Sequence, residues 1–259
     1  PAAVPTAAPA ATPAPAKAAV ARGPRGELRV ALNTLGRERW DPILDSRAGH
    51  AQYRAPVFDS LLSFGGGGKI GPGVAEKWEL AKDGLSWTFY LRKGLVFHNG
   101  DPLTAQDVKF SLERTMSKES ILSEGQRLVK AIKEMEVIDD LTLRIHTKAV
   151  NVTFEGEMTP VVGQGGQIMP KKYIETNSLD YIDKNPVGSG PWKFARHVKG
   201  DRVEFDAWDK SYRGTPHFQK LILLLVPEES TRVAMLRTSQ ADVTDVTAET
   251  AKEVAAAKM

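Results

Sequence analysis

The sequence predicts a mixed α/β fold, and three observations support that class. Leu28, Val30 and Leu32 alternate with charged and small residues, which predicts a first strand. Residues 104–115 carry apolar side chains at three- and four-residue spacing, the pattern of an amphipathic helix. Residues 221–226 form an apolar run of strand length within a predicted buried strand at 218–226, and a second helical pattern follows at 229–237. Strands and helices therefore alternate along the chain, as in α/β proteins.

The first third of the chain continues this alternation. The first strand ends at residues 33–36, and the apolar positions of residues 51–62 predict a helix after it. Four consecutive glycines at 65–68 break that helix. Residues 85–92 alternate strictly between apolar and polar side chains, so we expect a half-buried strand there.

An extended end, a tight turn and a capped helix follow one another in residues 97–114, FHNGDPLTAQDVKFSLER. Asn99 and Gly100 form a dipeptide that tolerates positive φ. Thr104 then begins a helix, and Asp107 stands three residues later, where a capping box has its acid. On these residues alone, the segment is a well-formed strand, turn and helix without a direct role in ligand binding.

The second half of the chain predicts two hairpins, a buried strand and a helix. Residues 135–145 alternate on both sides of Asp139-Asp140, and residues 191–208 do so around Lys199-Gly200-Asp201. The run 218–226 is then the buried strand and 229–237 the helix.

Composition limits the possible functions. The 259 residues contain 35 Lys and Arg against 32 Asp and Glu, scattered rather than gathered in a basic stripe, so no nucleic-acid surface is predicted. There is no cysteine, which excludes disulfides and cysteine-based zinc sites. No apolar run reaches 18 residues, so no membrane-spanning helix is expected. Residues 1–24 are almost entirely alanine and proline and predict a disordered linker.

Four segments of the chain resemble one protein family. Residues 97–114 resemble its pattern F-x-N-G-x-P-[LF]-T-A-x-D-V-x-[FW]-S-[LF]-x-R, and residues 185–194, NPVGSGPWKF, resemble N-P-V-G-[TS]-G-P-[YW]. Residues 209–223 and 229–243 are similar to two further family segments. The family is the extracytoplasmic solute-binding proteins, family 5, which comprises the peptide-, oligopeptide- and nickel-binding proteins of ABC transporters. Ser239 departs from the pattern, because the family usually has glycine there. A left-handed helix end at Ser239 would cost about 1 kcal/mol, so we expect this helix to stop differently.

The resemblance implies a periplasmic-binding-protein-like type II lobe with an inserted α+β subdomain, truncated before a second lobe. We expect residues 25–65 plus 181–259 to form the incomplete first ligand-binding lobe and residues 66–180 the inserted subdomain. The truncated sheet is expected to expose an unpaired edge. The chain starts at Pro1 rather than methionine, for which a removed export signal is one explanation and a cropped sequence another.

The implied function is that of the substrate-binding component of an ABC importer. Such a receptor captures a peptide or similar small solute between two lobes and delivers it to membrane permease subunits. The expected protein is a monomer outside the cytoplasm, either free or lipid-anchored, that uses no cofactor and has no nucleic-acid partner.

Two arguments, one from sheet geometry and one from the resemblance, identify candidate ligand contacts, and two tryptophans are added to them. Ligands of open α/β sheets bind beyond the carboxyl ends of strands, which indicates the loop after the first strand. The resemblance places that loop and a pair of residues near 212 where relatives have first-lobe contacts, and two tryptophans are further candidates for the cleft wall. The full set is Asn33, Thr34, Leu35, Trp40, Trp192, Tyr212 and Arg213.

A soluble hydrolase or transferase on a similar scaffold is the alternative hypothesis, since a fold does not fix chemistry. Its motifs are incomplete. The five histidines never stand at i, i+2 or i, i+4 to one another, and the glycine run at 65–68 lacks the flanking residues of a phosphate loop. Ser189 lies in Gly188-Ser189-Gly190 without the outer glycines of a nucleophile elbow. The sequence therefore predicts no catalytic residue and no metal site.

Overall fold

The computed structural model describes residues 24–44, 53–65, 67–160 and 166–256. In chain order the strands are β1 (Glu27–Leu32), β2 (Leu62–Phe64), β3 (Ile70–Pro72), β4 (Ala75–Leu80), β5 (Ser86–Leu91), β6 (Ile132–Asp139), β7 (Thr142–Thr147), β8 (Trp192–Val198), β9 (Arg202–Ala207), β10 (Lys220–Leu225) and β11 (Val243–Thr244). The helices are α1 (Ala105–Met116), α2 (Ser123–Ala131), α3 (Lys171–Thr176), α4 (Leu179–Lys184), α5 (Glu229–Arg237) and α6 (Ala248–Ala256).

A five-stranded mixed sheet has the order β11-β1-β10-β9-β8. β1 runs parallel to both β10 and β11, whereas β9 is antiparallel to β10 and β8 is antiparallel to β9. The carboxyl ends of β11, β1 and β10 therefore meet at one edge, and the β8–β9 turn lies at that edge too. We call it the carboxyl edge.

The border of this sheet beside β1 is closed by a side chain. Asp242 Oδ2 accepts from the backbone amide of Arg29 at 2.8 Å, and the Asp242 amide donates to the Arg29 carbonyl, also at 2.8 Å. The Arg29 guanidinium also pairs with this carboxylate at 3.1 Å. The two-residue strand β11 continues the pairing at Val30 and Ala31.

A four-stranded antiparallel sheet has the order β4-β5-β7-β6, and β2 pairs with β3 in a separate hairpin. The predicted strand at 85–92 and the predicted hairpin at 135–145 are confirmed as β5 and the β6–β7 pair. The predicted hairpin at 191–208, strand at 218–226 and helix at 229–237 are confirmed as β8–β9, β10 and α5.

Two clusters of buried side chains form the core, one beside each of the larger sheets. Trp87, Phe89 and Phe97 are central in the cluster of the four-stranded sheet, while Trp40 and Phe205 are central in the other. The strands of the five-stranded sheet all come from the predicted first lobe, 25–65 plus 181–259. Leu61 and Leu62, which that prediction assigns to the first lobe, pack instead in the core of the four-stranded sheet. The domain boundaries therefore remain a prediction.

Helix α1 begins as the sequence predicts. Thr104 is its N-cap and forms a capping box with Asp107, whose carboxylate accepts from the Thr104 amide at 2.9 Å. Ala105, Val108 and Leu112 lie on its buried face. This confirms the amphipathic helix and fixes the start of the chain's longest described helix.

The predicted helix at 51–62 is wrong over the described residues. Residues 54–57 form turns, residues 58–59 have no regular structure and Leu62 begins β2; residues 51–52 lie outside the described part of the chain. The carbonyls of Pro56 and Val57 accept from the amides of Trp192 and Gly190 at 3.2 and 2.8 Å. Because these carbonyls bond to a distant segment, they are not available to a helix, and Pro56 adds a residue without an amide donor.

The predicted linker, residues 1–24, lies outside the described residues except for Pro24. Among the helices of the described residues, none is long and apolar enough to cross a membrane.

Candidate functional site

The carboxyl edge begins with the loop after β1. Asn33 is exposed and Thr34 is half-buried, and the Thr34 hydroxyl accepts from the Gly36 amide at 3.0 Å. The start of the loop is fixed by β10, because the Val226 amide donates to the Leu32 carbonyl at 2.8 Å. Two polar side chains thus follow β1 at the edge where open α/β sheets bind ligands.

Glu38 fixes the other end of this loop to the β8–β9 turn. Its Oε2 lies 2.7 Å from His197 Nε2 and accepts from the Gly200 amide at 2.9 Å, while Oε1 lies 3.2 Å from the same amide. Glu38 has φ +54°, a left-handed conformation that costs a residue with a Cβ about 1–2 kcal/mol. We call the contact among Glu38, His197 and Gly200 the Glu38 clamp.

Trp40 holds the His197 side chain of the Glu38 clamp in place. Its side chain is 0% exposed, and its indole Nε1 donates to His197 Nδ1 at 3.3 Å. Because Nδ1 accepts from the indole, the proton of the neutral imidazole resides on Nε2, which donates to Glu38. The rings of Tyr53 and Phe194 pack edge-on against the indole, with centroids 5.1 and 4.9 Å away.

The chain after the clamp is held from α4 and α1. Asp183 accepts from the Trp40 amide at 2.7 Å and pairs with the Arg39 guanidinium at 2.8 Å. Arg114 forms a two-point contact with the buried Asp41 carboxylate, at 2.7 and 3.1 Å. The loop at 33–37 is therefore a short segment between two firmly held ends.

Arg232 of α5 joins the other two strands at this edge. Its side chain is 3% exposed and donates to the carbonyls of Val226 and Pro227, at 2.9 and 2.7 Å. Its Nε lies 3.0 Å from both the carbonyl oxygen and the carboxylate of Asp245. One guanidinium thus bridges the ends of β10 and β11.

The predicted residues Trp192, Tyr212 and Arg213 lie at the opposite edge. Trp192 pairs with Ala207 at the end of β9. β9 ends beside the start of β10, and the start of β10 pairs with the start of β1. Tyr212 and Arg213 follow in the loop between β9 and β10. The six residues of β1 separate the two edges by about 20 Å.

Arg213 and Tyr212 have structural partners at that opposite edge. Arg213 pairs with the buried Asp59 at 3.3 Å, and the Ser189 hydroxyl donates to the same carboxylate at 3.0 Å. Burial raises the pKa of Asp59, while Arg213 and Ser189 act in the opposite direction. Burial also raises the pKa of Tyr212 to about 12, and the Arg92 guanidinium lies 4.9 Å from its ring centroid.

The seven predicted residues therefore do not form one cluster. Asn33 and Thr34 lie at the carboxyl edge with accessible surface, and Leu35 and Trp40 are only 2% and 0% exposed in the core beneath it. Trp192, Tyr212 and Arg213 lie across the sheet. Ligand contact by any of the seven remains a prediction.

Sequence reasoning missed Glu38, His197, Arg232 and Asp245. Single charged residues in a loop, a hairpin and a helix carry no spacing signal, and their convergence depends on strand order. Within the described ranges, no group of three or more Asp, Glu, His or Cys side chains is placed to hold a metal ion.

The fold is that of a type II periplasmic binding protein lobe, and sequence comparison agrees. The profile of the family described as "Bacterial extracellular solute-binding proteins, family 5 Middle" matches residues 69–259. The chain belongs to this family.

Individual relatives and solved structures give the same result. The chain is 28% identical over 213 residues to a dipeptide-binding protein of Escherichia coli K12, an alignment that covers 73% of this chain and 38% of that protein. It superposes on the periplasmic binding protein AgaA from A. tumefaciens R10, solved with agropinic acid, with a TM-score of 0.77 and 27% identity over 85% of this chain and 44% of AgaA.

A third match is DppA from Helicobacter pylori, solved with the peptide STSA. Its TM-score is 0.74 and its identity 29%, over 83% of this chain and 46% of DppA. The chain thus spans less than half the length of each of these three proteins.

Proposed function

We propose that this chain supplies the first lobe of a solute-binding receptor that serves an ABC importer. The receptor captures a peptide or a similar small solute in a cleft between two lobes and delivers it to a membrane permease. The observation that carries the proposal is the loop with Asn33 and Thr34, held at both ends on the carboxyl edge of a family 5 fold.

The chemistry of the loop suits a polar solute. The Asn33 amide offers donors and an acceptor, and the Thr34 hydroxyl adds one of each. Peptides present carbonyls and amides that match these groups. Because Asn33 is exposed, water can bridge gaps between the loop and solutes of different size.

The proposed receptor works by a population shift. A solute that contacts both lobes stabilises the closed state by its difference in affinity for the closed and open states. A permease then distinguishes the closed receptor from the open one, and separate subunits hydrolyse ATP. This chain performs no chemical step in that scheme.

The proposed setting is the periplasm or another extracytoplasmic space, reached by an export signal, with the receptor free or lipid-anchored. The description of the family as extracellular supports this location. We propose that the receptor is a monomer. We also propose that it has no nucleic-acid partner, since the 35 basic residues are nearly balanced by 32 acidic ones.

A thermal-shift panel with the full-length protein tests the proposal. The probes are alanyl-alanine, as a simple dipeptide for the dipeptide-binding relative, and the peptide STSA and agropinic acid, with which the two similar structures were solved. A probe at about 100 times its Kd stabilises the folded state by about 2.7 kcal/mol, which raises Tm by several degrees.

Two variants show where a probe binds. Asn33→Ala should reduce the probe-induced rise in Tm, whereas Asn177→Ala, at the end of α3, should keep it when each variant is compared with its own unliganded Tm. An unmoved Tm with every probe, together with turnover of a chromogenic ester, would instead favour the hydrolase alternative.

A further inference from the structure

Glu38 adopts a left-handed backbone conformation although its side chain makes that conformation unfavourable. Glycine is the residue that adopts φ +54° most readily, yet this position carries a glutamate. Its carboxylate is not idle: both oxygens lie within hydrogen-bonding distance of protein donors, and the Glu38 side chain is only 11% exposed.

The partners of this carboxylate are themselves held in place. Gly200 contributes its backbone amide from the β8–β9 turn, with φ +75°. His197 is oriented by the indole of Trp40, which the core surrounds. The clamp therefore connects the loop to rigid parts of the five-stranded sheet and not to another mobile side chain.

Between its two fixed ends, the loop is anchored at one further point, the side chain of Leu35 in the core. Its start is bonded through the Leu32 carbonyl and its end through Glu38. Between them, the Thr34 hydroxyl bonds to the Gly36 amide and Leu35 is buried. The conformation of Asn33 and Thr34 thus depends on the points at which the loop is held, which are the Leu32 carbonyl, the Leu35 side chain and the Glu38 carboxylate.

We propose that Glu38 is a positioning residue: its carboxylate holds the loop at 33–37 in one conformation and so presents Asn33 and Thr34 ready for the solute. The role in binding rests on the proposed function, while the ordering of the loop does not. A loop that is ordered before binding loses less conformational freedom when the solute arrives, so the receptor binds more tightly.

Backbone order parameters from NMR relaxation test this inference on the full-length protein. In the wild type, amides at 33–37 should have order parameters near those of rigid backbone, about 0.85. In Glu38→Ala and in Glu38→Gly they should fall below about 0.6, while those of β10 stay unchanged.

Glu38→Gly is the decisive variant, because glycine removes the carboxylate but makes the left-handed backbone easier to adopt. Glu204→Ala is the matched control: it removes an acid from β9 that pairs with Arg202 at 2.7 Å and makes no contact in the clamp. It should leave the loop order as in the wild type.

Two results would overturn the inference. Loop order that survives in Glu38→Gly would show that the backbone alone positions the loop, and an equal loss of order in β10 would show general loosening of the fold. Affinities of the panel probes complete the test, with a loss of about tenfold expected in Glu38→Gly for any probe that binds the wild type.

The two proposals fail separately. A panel in which a probe binds, combined with a loop that keeps its order without the carboxylate, would overturn only the role of Glu38. A loosened loop combined with a panel in which nothing binds would overturn the solute-binding proposal and leave only the ordering of the loop by Glu38.

Discussion

The imidazole of His98 holds the backbone at Gly190: its Nε2 lies 2.9 Å from the Gly190 carbonyl oxygen. The Gly188 amide donates to the other ring nitrogen, Nδ1, at 3.4 Å, so Nε2 carries the proton and donates. His98 is 4% exposed, and burial lowers the pKa of its imidazole to about 4. The turn at 97–100 and the turn at 188–190, two of the segments that resemble the family, are thus joined through one neutral side chain.

This contact predicts a loss of stability in mild acid. The pKa of His98 is about 4 when folded and 6.5 in the unfolded reference, so the unfolded chain binds more protons between these values. The contribution is complete above pH 6.5, falls as the pH drops and levels off near pH 4. Urea unfolding should show about 2 kcal/mol less stability from this group at pH 5 than at pH 8.

The variant His98→Gln removes the titrating group and should flatten the pH dependence over this interval. His217→Gln replaces an exposed histidine and should leave the wild-type slope in place. Equal slopes in the wild type and His98→Gln would contradict the assignment.

Gly190 should tolerate no side chain. A Cβ at this position would lie 2.2 Å from the Pro56 carbonyl oxygen and 2.8 Å from that of Val57, so the backbone would have to move. We expect Gly190→Ala to lower the free energy of unfolding by about 3 kcal/mol or more. Gly156→Ala is the control, because a Cβ there meets nothing within 4 Å. A similar loss of stability in both variants would show that the close contact of Gly190 with Pro56 and Val57 is not the cause.

Arg232 should be important for stability although it carries a charge. Its removal leaves the Val226 and Pro227 carbonyls without their donor and separates the ends of β10 and β11. Arg232→Ala should cost about 3 kcal/mol in denaturant unfolding. Arg196→Ala, on exposed surface of β8, should cost less than about 0.5 kcal/mol. If the two variants were equally stable, Arg232 would not be the link between the strands.

Ser239 offers a stabilising substitution. It ends α5 with φ +57°, and the Gln240 amide closes the helix on the Met235 carbonyl at 2.8 Å, as in a Schellman motif. Ser239→Gly should therefore raise the free energy of unfolding by about 1 kcal/mol. Thr238→Gly, one residue earlier at φ −93°, should destabilise, and calorimetry on both variants distinguishes relief of strain from a general effect of glycine.

The sequence-based predictions succeeded where local chemistry decides the structure. Thr104 and Asp107 form the expected capping box, and the hairpin turns at 139–141 and 199–201 follow the expected dipeptides. One local expectation is wrong: α5 does not stop differently at Ser239, because Ser239 adopts φ +57° and the helix ends in the left-handed conformation without a glycine. In each case the residues that determine the feature are neighbours in sequence.

The same reasoning failed where distant segments decide. Residues 53–59 have apolar spacing suited to a helix, but the carbonyls of Pro56 and Val57 are bonded to residues 190–192. The site was only partly foreseen for a similar reason. The end of β1 identified Asn33 and Thr34, whereas Glu38 and His197 meet only because the β8–β9 turn lies at the same edge.

Asp242 has a consequence for how copies of this protein behave together. Its carboxylate accepts a hydrogen bond from the Arg29 amide, and its own amide donates to the Arg29 carbonyl. Left unpaired, these two backbone groups could pair with a strand of another molecule. The ion pair with the Arg29 side chain adds a polar cover at that point. At Arg29, therefore, the backbone of β1 has no free amide or carbonyl with which a strand of another copy could pair, and β11 covers the next two residues in the same way.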